Sequence, residues 1–265
     1  LDAYGVLVDA SGPIKHGTEF VKRLNDQQKP FRMLTNDASR LHSSISQRLS
    51  GYGIEIPEDK IISSGSLLKP YFEQHNLRGA RCCVLGTADS RSFATIAGAV
   101  LVDPIKDSEF DVLILADESG YPFFESIDAV ISHLIQMIAT GKTPQLILPN
   151  PDLLYPKASK MCGLAAGSLA LMIESALQLR FGDKNQFKFD RLGKPQAMIF
   201  EKGCAELGSR NVLMVGDQLS TDVLGAKNFG IDSLLLLTGL TQSAPDKREA
   251  LQATYVLPDL QGMRA

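Results

Sequence analysis

The chain has 265 residues, 44% hydrophobic and 22% charged, with 27 Lys and Arg against 30 Asp and Glu for a net charge of −3. This balance fits a globular chain with a buried core. It offers no basic stripe to neutralise nucleic-acid phosphates, and its longest apolar runs fall far short of the ~20 residues a membrane span needs. No nucleic-acid partner and no membrane association are expected, and the opening residues do not read as a signal peptide.

In chain order, Leu1 and Asp2 read as the end of a strand, so most of a first strand is expected to precede them. Phe20, Val21 and Leu24 mark one helical face, and Phe31–Thr35 reads as a strand. Ile45 and Leu49 mark a second helix, stopped by Gly51 and Gly53, before a strand at Lys60–Ser64. Arg81–Leu85 and Asp111–Leu115 read as strands, Ile127–Ile138 as a helix and Leu146–Leu148 as another strand. Ala166–Leu179 reads as a long amphipathic helix. Asn211–Gly216 and Ser233–Thr238 are strands, separated by a helix at Thr221–Phe229 that Gly230 ends. The alternation predicts an α/β fold with a parallel sheet.

The interval between Ser64 and Ala166 is far too long for a loop, since structureless connections beyond ~15 residues are uncommon. A second α/β unit inserted into the first accounts for it. The expected division is a core of residues 1–76 and 166–265 and an inserted unit of residues 77–165. Sparse contacts between the two are expected, with hinges near Leu77 and Gly163.

Cys82 and Cys83 are adjacent within an apolar run, and Cys162 and Cys204 stand alone. No second pair completes a metal-ligand spacing, so reduced structural thiols and a cytoplasmic setting are expected. His16, His42, His75 and His133 are scattered, which argues against a zinc site or a His-based triad.

Four short segments carry the chemistry. They are Asp2-Ala3-Tyr4-Gly5-Val6-Leu7, Leu34-Thr35-Asn36-Asp37, Gly193-Lys194-Pro195, and Val215-Gly216-Asp217 with Asp222 five residues on. Strand ends in open α/β sheets gather ligand sites at their carboxyl edge, so a carboxylate, a hydroxyl, an ammonium and two further carboxylates can converge there. These groups suit phosphoryl transfer to an aspartate. Asp2 would attack phosphorus, and a cation must stand between the two anions. Mg²⁺ takes about six oxygens, one or two of them carboxylates. Asp2 and Asp217 would supply these, with the Tyr4 carbonyl as a third ligand. Asp222 would ligate, or hold Lys194 or a metal-bound water. Thr35 offers a hydroxyl to the phosphoryl oxygens, and Lys194 offsets developing charge. The simpler alternatives are that Asp217 caps the next helix and that Asn150 and Asp152 form an Asx turn before Pro156.

Together the motifs resemble the haloacid dehalogenase (HAD) superfamily, in its subfamily IIA of nitrophenylphosphatase-like and sugar-phosphatase-like members. The likeness extends to Gly5-Val6-Leu7…Pro13-Ile14…Gly17, Ser39-Arg40, Ile61-Ile62-Ser63-Ser64-Gly65 and Asn150-Pro151-Asp152. It implies a Rossmann-like parallel-sheet core with an inserted α/β cap over the site. It also implies a Mg²⁺-dependent phosphatase of small phosphorylated metabolites, sugar phosphates or nucleotide monophosphates. Thr35, Asn36, Asn150 and Asp152 would contact substrate, and the resemblance leaves room for a homodimer formed through the cap. One departure stands out. The family carries a second aspartate, its acid–base group, two residues after the nucleophile, where this chain has Tyr4. A phenol titrating near 10 is a poor substitute near neutrality, and acid–base help is worth ~10²–10⁴-fold. The resemblance therefore supports a phosphatase slowed at Tyr4, with a relative that binds a phosphorylated ligand without turnover as the alternative.

Overall fold

Two parallel sheets, each with its own helices, organise the chain; a computed structural model describes residues 1–156, 161–182, 187–243 and 253–263. In the first sheet Ile61–Ser63 pairs with Met33–Thr35, and Leu213–Gly216 pairs with Asp232–Leu236, which pairs with Tyr255–Leu257. Leu1 and Asp2 join the two halves. The Leu34 N–H donates to the Leu1 carbonyl at 2.8 Å and the Asp2 N–H to the Val215 carbonyl at 2.8 Å. The strand ends at Asp2, Thr35 and Gly216 thus share one edge. Phe20, Val21 and Leu24 of the helix Gly17–Asp26 pack beneath with Ile45 and Leu49 of His42–Ser50, as the periodicity predicts.

The second sheet runs Asp190–Arg191, Gln145–Leu148, Val112–Leu115, Arg81–Leu85, Val100–Val102, every pairing parallel. Both its faces are covered. Cys83, Leu85, Leu113, Leu115 and Leu146 point to Phe123–Ala139 and Ala166–Phe181. Cys82, Val84, Val112, Ile114 and Ile147 alternate to the other side, as the period of two requires. The four cysteines are free thiols, three of them buried, and burial pushes Cys82 and Cys83 up to about 12.

Three expectations are corrected here. Ala166–Phe181, expected with the core, buries Leu169, Ala170, Ile173 and Leu177 against the second sheet, and Asp190–Arg191 adds a strand to that sheet. Its apolar stripe says that it packs but not against which sheet. Gly163, expected at a hinge, is paired to Tyr155 in an antiparallel hairpin of Leu154–Pro156 and Cys162–Leu164. The contacts between the units are also not sparse. Leu34, Ile62, Ile199, Phe200 and Met214 share one apolar cluster with Val84, Ile114 and Ile147. The inserted helix Ala88–Ala97 is tied in as well. At its N-terminus Thr87 Oγ1 donates to the Ser39 carbonyl (2.6 Å), Ser90 Oγ to that of Ala38 (2.8 Å), and Asp89 accepts from the Leu41 N–H (2.9 Å).

Near Asp222 the chain makes a wide turn, Leu219–Val223, before the helix Leu224–Phe229, where a single helix is expected from the sequence. Such π-type turns recur at functional sites. No helix among the described residues is long and apolar enough to cross a membrane.

Candidate active site

Asp2, Lys194, Asp217 and Asp222 meet at the carboxyl edge of the first sheet, and each is almost wholly buried, at 4%, 2%, 1% and 1% exposure. Lys194 Nζ donates to Asp2 Oδ1 at 2.6 Å and to Asp222 Oδ1 at 2.7 Å. Oxygens of Asp2, Asp217 and Asp222 all lie within 4.8 Å of one another. When ionised, three buried carboxylates carry more negative charge than the one lysine ammonium among them offsets.

The electrostatics register that excess. Burial pushes Asp2 up to about 6, with Lys194 pulling the other way and Asp222 adding to the rise. Asp217 is raised well above the carboxylate range, first by burial and then by the charges of Asp2 and Asp222. Burial alone would lower Lys194, but Asp2 and Asp222 outweigh it and raise it.

The residues present fit a divalent cation. Asp217 Oδ2 accepts from the Leu240 N–H at 2.7 Å, while its Oδ1 is buried with no hydrogen-bond partner. An orphaned carboxylate oxygen costs ~1–3 kcal/mol or more, and a cation would relieve it. A Cβ on Gly5 would fall 2.3 Å from Asp217 Cγ and one on Gly239 2.0 Å from its Oδ2. Only glycine lets both segments close on that carboxylate, and Gly5 has φ +81° besides. Asp222 differs from Asp217. Its Oδ1 holds Lys194 and its Oδ2 accepts from the Gln218 N–H at 3.2 Å, so its first task is to orient the lysine.

Above these groups opens a cavity of about 720 Å³ lined by both units. Thr35 lines it, its Oγ1 accepting from the Asp37 N–H at 3.2 Å. Asn36, expected to contact substrate, lines the cavity and is also engaged in a structural clamp. Its Nδ2 donates to Asp152 Oδ1 (2.8 Å) and to the Lys194 carbonyl (3.0 Å), and its Oδ1 accepts from the Lys194 N–H (2.7 Å). Asn150 likewise spends its Oδ1 on the Asp152 N–H at 3.0 Å, which is the Asx turn. Asp152 lines the cavity; burial pushes it up to about 6 against the pull of Asn36. The Asp152 carbonyl accepts from the Gly167 N–H at 2.9 Å, so the start of Ala166–Phe181 fixes this loop. Tyr4 also lines the cavity, and its hydroxyl accepts a hydrogen bond from Arg48 Nη1.

Residues 1–99 match the family model described as haloacid dehalogenase-like hydrolase, and residues 191–263 match a second described as HAD-hydrolase-like. A solved structure of a possible sugar phosphatase of the HAD superfamily from Cytophaga hutchinsonii is 30% identical, with a TM-score of 0.80, covering 97% of this chain and 92% of that one. The chain belongs to the haloacid dehalogenase-like hydrolases. Within that family it is 26% identical to the acid sugar phosphatase of Staphylococcus haemolyticus, over 97% of this chain and 93% of that protein. It is also 26% identical to the dihydroxyacetone phosphatase of Corynebacterium glutamicum, over 97% and 86%. The stretch between the two family models holds most of the second sheet. That is where this haloacid dehalogenase-like chain builds the far wall of its cavity, from Asp117, Ser119 and Tyr155.

Sequence reasoning missed several residues of this site. Leu240 and Gly239, which seat Asp217, follow the strand Asp232–Leu236, so the strand-end rule that found Asp217 could have found them. Arg48 gave no such signal; it sits on the helix His42–Ser50 among polar residues that read as a solvated face.

Proposed function

We propose that this chain hydrolyses small phosphomonoesters, sugar phosphates and nucleotide monophosphates foremost, through a phosphorylated Asp2 and with Mg²⁺ as cofactor. The observation that carries this reading is a buried Asp2 held by Lys194 beside the orphaned Asp217 oxygen, at the floor of a cavity roomy enough for a metabolite. Asp2, Asp217 and the Tyr4 carbonyl would hold the metal, whose charge lets carboxylate and phosphate approach. Lys194 orients Asp2 and offsets charge on the phosphoryl oxygens, and the Thr35 hydroxyl donates to one of them. An Asp2 oxygen forms the bond to phosphorus as the ester oxygen leaves. Water then attacks phosphorus and the bond to Asp2 breaks, its electrons returning to the carboxylate; the proton water gives up goes to solvent and balances the one the leaving oxygen takes from solvent. The inserted unit serves as the cap that walls the cavity.

Tyr4 supports a slow second step and keeps in play a relative that binds phosphorylated ligands without turnover, because its hydroxyl is committed to Arg48. One experiment separates these readings. Rapid mixing of the protein and Mg²⁺ with 4-nitrophenyl phosphate is expected to release a burst of phenol equal to the enzyme, then a slow steady rate. Tyr4→Asp is expected to raise the steady rate by roughly 10²-fold. An absent burst, with no phosphate trapped on Asp2, would overturn the covalent reading. A brisk wild-type rate unchanged by Tyr4→Asp would overturn the role given to Tyr4.

A further inference from the structure

The cavity wall next to Tyr4 carries two guanidinium groups, Arg40 and Arg48, close enough to act on each other's charge. They are not equivalent. Arg40 is paired, its Nη1 standing 3.0 Å from Asp37 Oδ2, and it also faces Asp117 across the cavity. Arg48 has no carboxylate partner among the described residues. Its side-chain hydrogen bond goes to the Tyr4 hydroxyl, and its guanidinium lies 5.5 Å and 6.0 Å from the centres of the Tyr4 and Tyr52 rings.

A guanidinium has five N–H donors in a planar fork that matches a carboxylate or phosphate edge. The Tyr4 hydroxyl uses only part of that fork, and the nearby rings of Tyr4 and Tyr52 help hold the group in place. A half-buried cation fixed by aromatic faces, lining a cavity and lacking a counter-charge, is an anion receptor. It is distinct from the Lys194 centre, whose ammonium is paired with Asp2 and Asp222 at the site of phosphoryl transfer. Tyr4 joins the two: its backbone stands two residues from Asp2, and its hydroxyl end reaches Arg48. Arg48 thus lines the same cavity as Asp2, in which the rest of a phosphomonoester bound over Asp2 must lie.

We propose that Arg48 anchors a second anionic group, a carboxylate or a second phosphate, on the leaving-group side of the substrate. This rests on the phosphomonoester reading above and narrows it to small phosphate esters that carry two anionic ends.

The test is calorimetric, with Mg²⁺, in an Asp2→Asn background where phosphoryl transfer does not consume the probes. One pair compares 2-phosphoglycolate with ethyl phosphate, and a second compares fructose 1,6-bisphosphate with fructose 1-phosphate. These arms separate a carboxylate from a phosphate as the second anion. In at least one pair the doubly anionic member is expected to bind roughly 10- to 100-fold more tightly, the worth of one charge-assisted contact. Arg48→Met is expected to bring that ratio to within about twofold, and Arg48→Lys to restore part of it. A purely structural role for Arg48 would shift both members alike and leave the ratio standing. Ratios near one in both pairs, or a ratio that survives Arg48→Met, would overturn the proposal while leaving the phosphomonoester reading intact. Binding of neither member of either pair would overturn the proposal, and the burst experiment on the unaltered protein then decides the phosphomonoester reading separately.

Discussion

Replacing Lys194 by Met keeps the length of the side chain and removes its charge. In the folded protein the ammonium stands 2.6 Å from Asp2 and 2.7 Å from Asp222, with both carboxylates and the lysine buried. Without it two buried carboxylates lose the cation hydrogen-bonded to both, and Asp217 lies close by. Removing one partner of a buried pair costs ~3–5 kcal/mol. At ~2–4 °C per kcal/mol for a chain of this size, that is a fall in Tm of roughly 6–20 °C. The pH dependence discriminates further. The folded-state pKa of Lys194 is raised, so its own contribution is complete below the unfolded lysine value and constant between pH 5 and 8. Any change across that window comes from the carboxylates. Asp2, already at about 6 with its lysine in place, would rise further without it. At pH 5 the variant can hold protons on these groups at little cost, whereas at pH 8 folding must retain protons that the unfolded chain releases. The deficit, measured by chemical denaturation with chelator present, is therefore expected to be larger at pH 8 than at pH 5, and added Mg²⁺ is expected to recover part of it. A loss below about 1 kcal/mol, or one equal at both pH values, would refute the view of Lys194 as the cation that makes this cluster tolerable.

Two further outcomes are expected. Asp217→Asn removes the one carboxylate that, among the described residues, has a buried orphaned oxygen, so Mg²⁺ affinity by calorimetry should fall at least tenfold and phosphatase activity should be lost; wild-type affinity would reassign the metal site. Asp152→Asn keeps an oxygen for the Asn36 amide but removes a carboxyl held at about 6 in the fold. A raised acid costs stability as pH climbs from the unfolded value to the folded one. The variant should therefore gain on wild type between pH 4.5 and 8, by about 1–2 kcal/mol for this half-buried group. A gain independent of pH would show that the carboxyl does not titrate as stated.

The chemistry at the sheet edge was legible in the sequence because each contributor is a short polar break directly after an apolar strand or before a helix. Asp2, Thr35, Lys194 and Asp217 were found in this way, and they converge. What escaped depends on pairs distant in sequence. Tyr4 and Arg48 are 44 residues apart, and Asn36 and Asp152 are 116 apart, so no local pattern could show that Asn36 is a clamp. The helix Ala166–Phe181 was recognised but assigned to the wrong neighbour, because a stripe of Leu, Ala and Ile packs equally well on either apolar face. The two-residue strand Asp190–Arg191 is too short to leave a period at all.

The apolar cluster joining Leu34, Ile199 and Met214 to Val84, Ile114 and Ile147 bears on how this protein can change over evolution. A unit that met the core only through linkers could be exchanged whole between relatives. Here an exchange would bring a foreign surface against Ile199, Phe200 and Met214, and packing at that density is sensitive to a single methylene. The second unit is therefore not a cassette. The segments Glu118–Ser119 and Leu154–Tyr155 meet the cavity without belonging to the shared apolar cluster, so a new side chain there would alter what the cavity holds and leave that cluster in place.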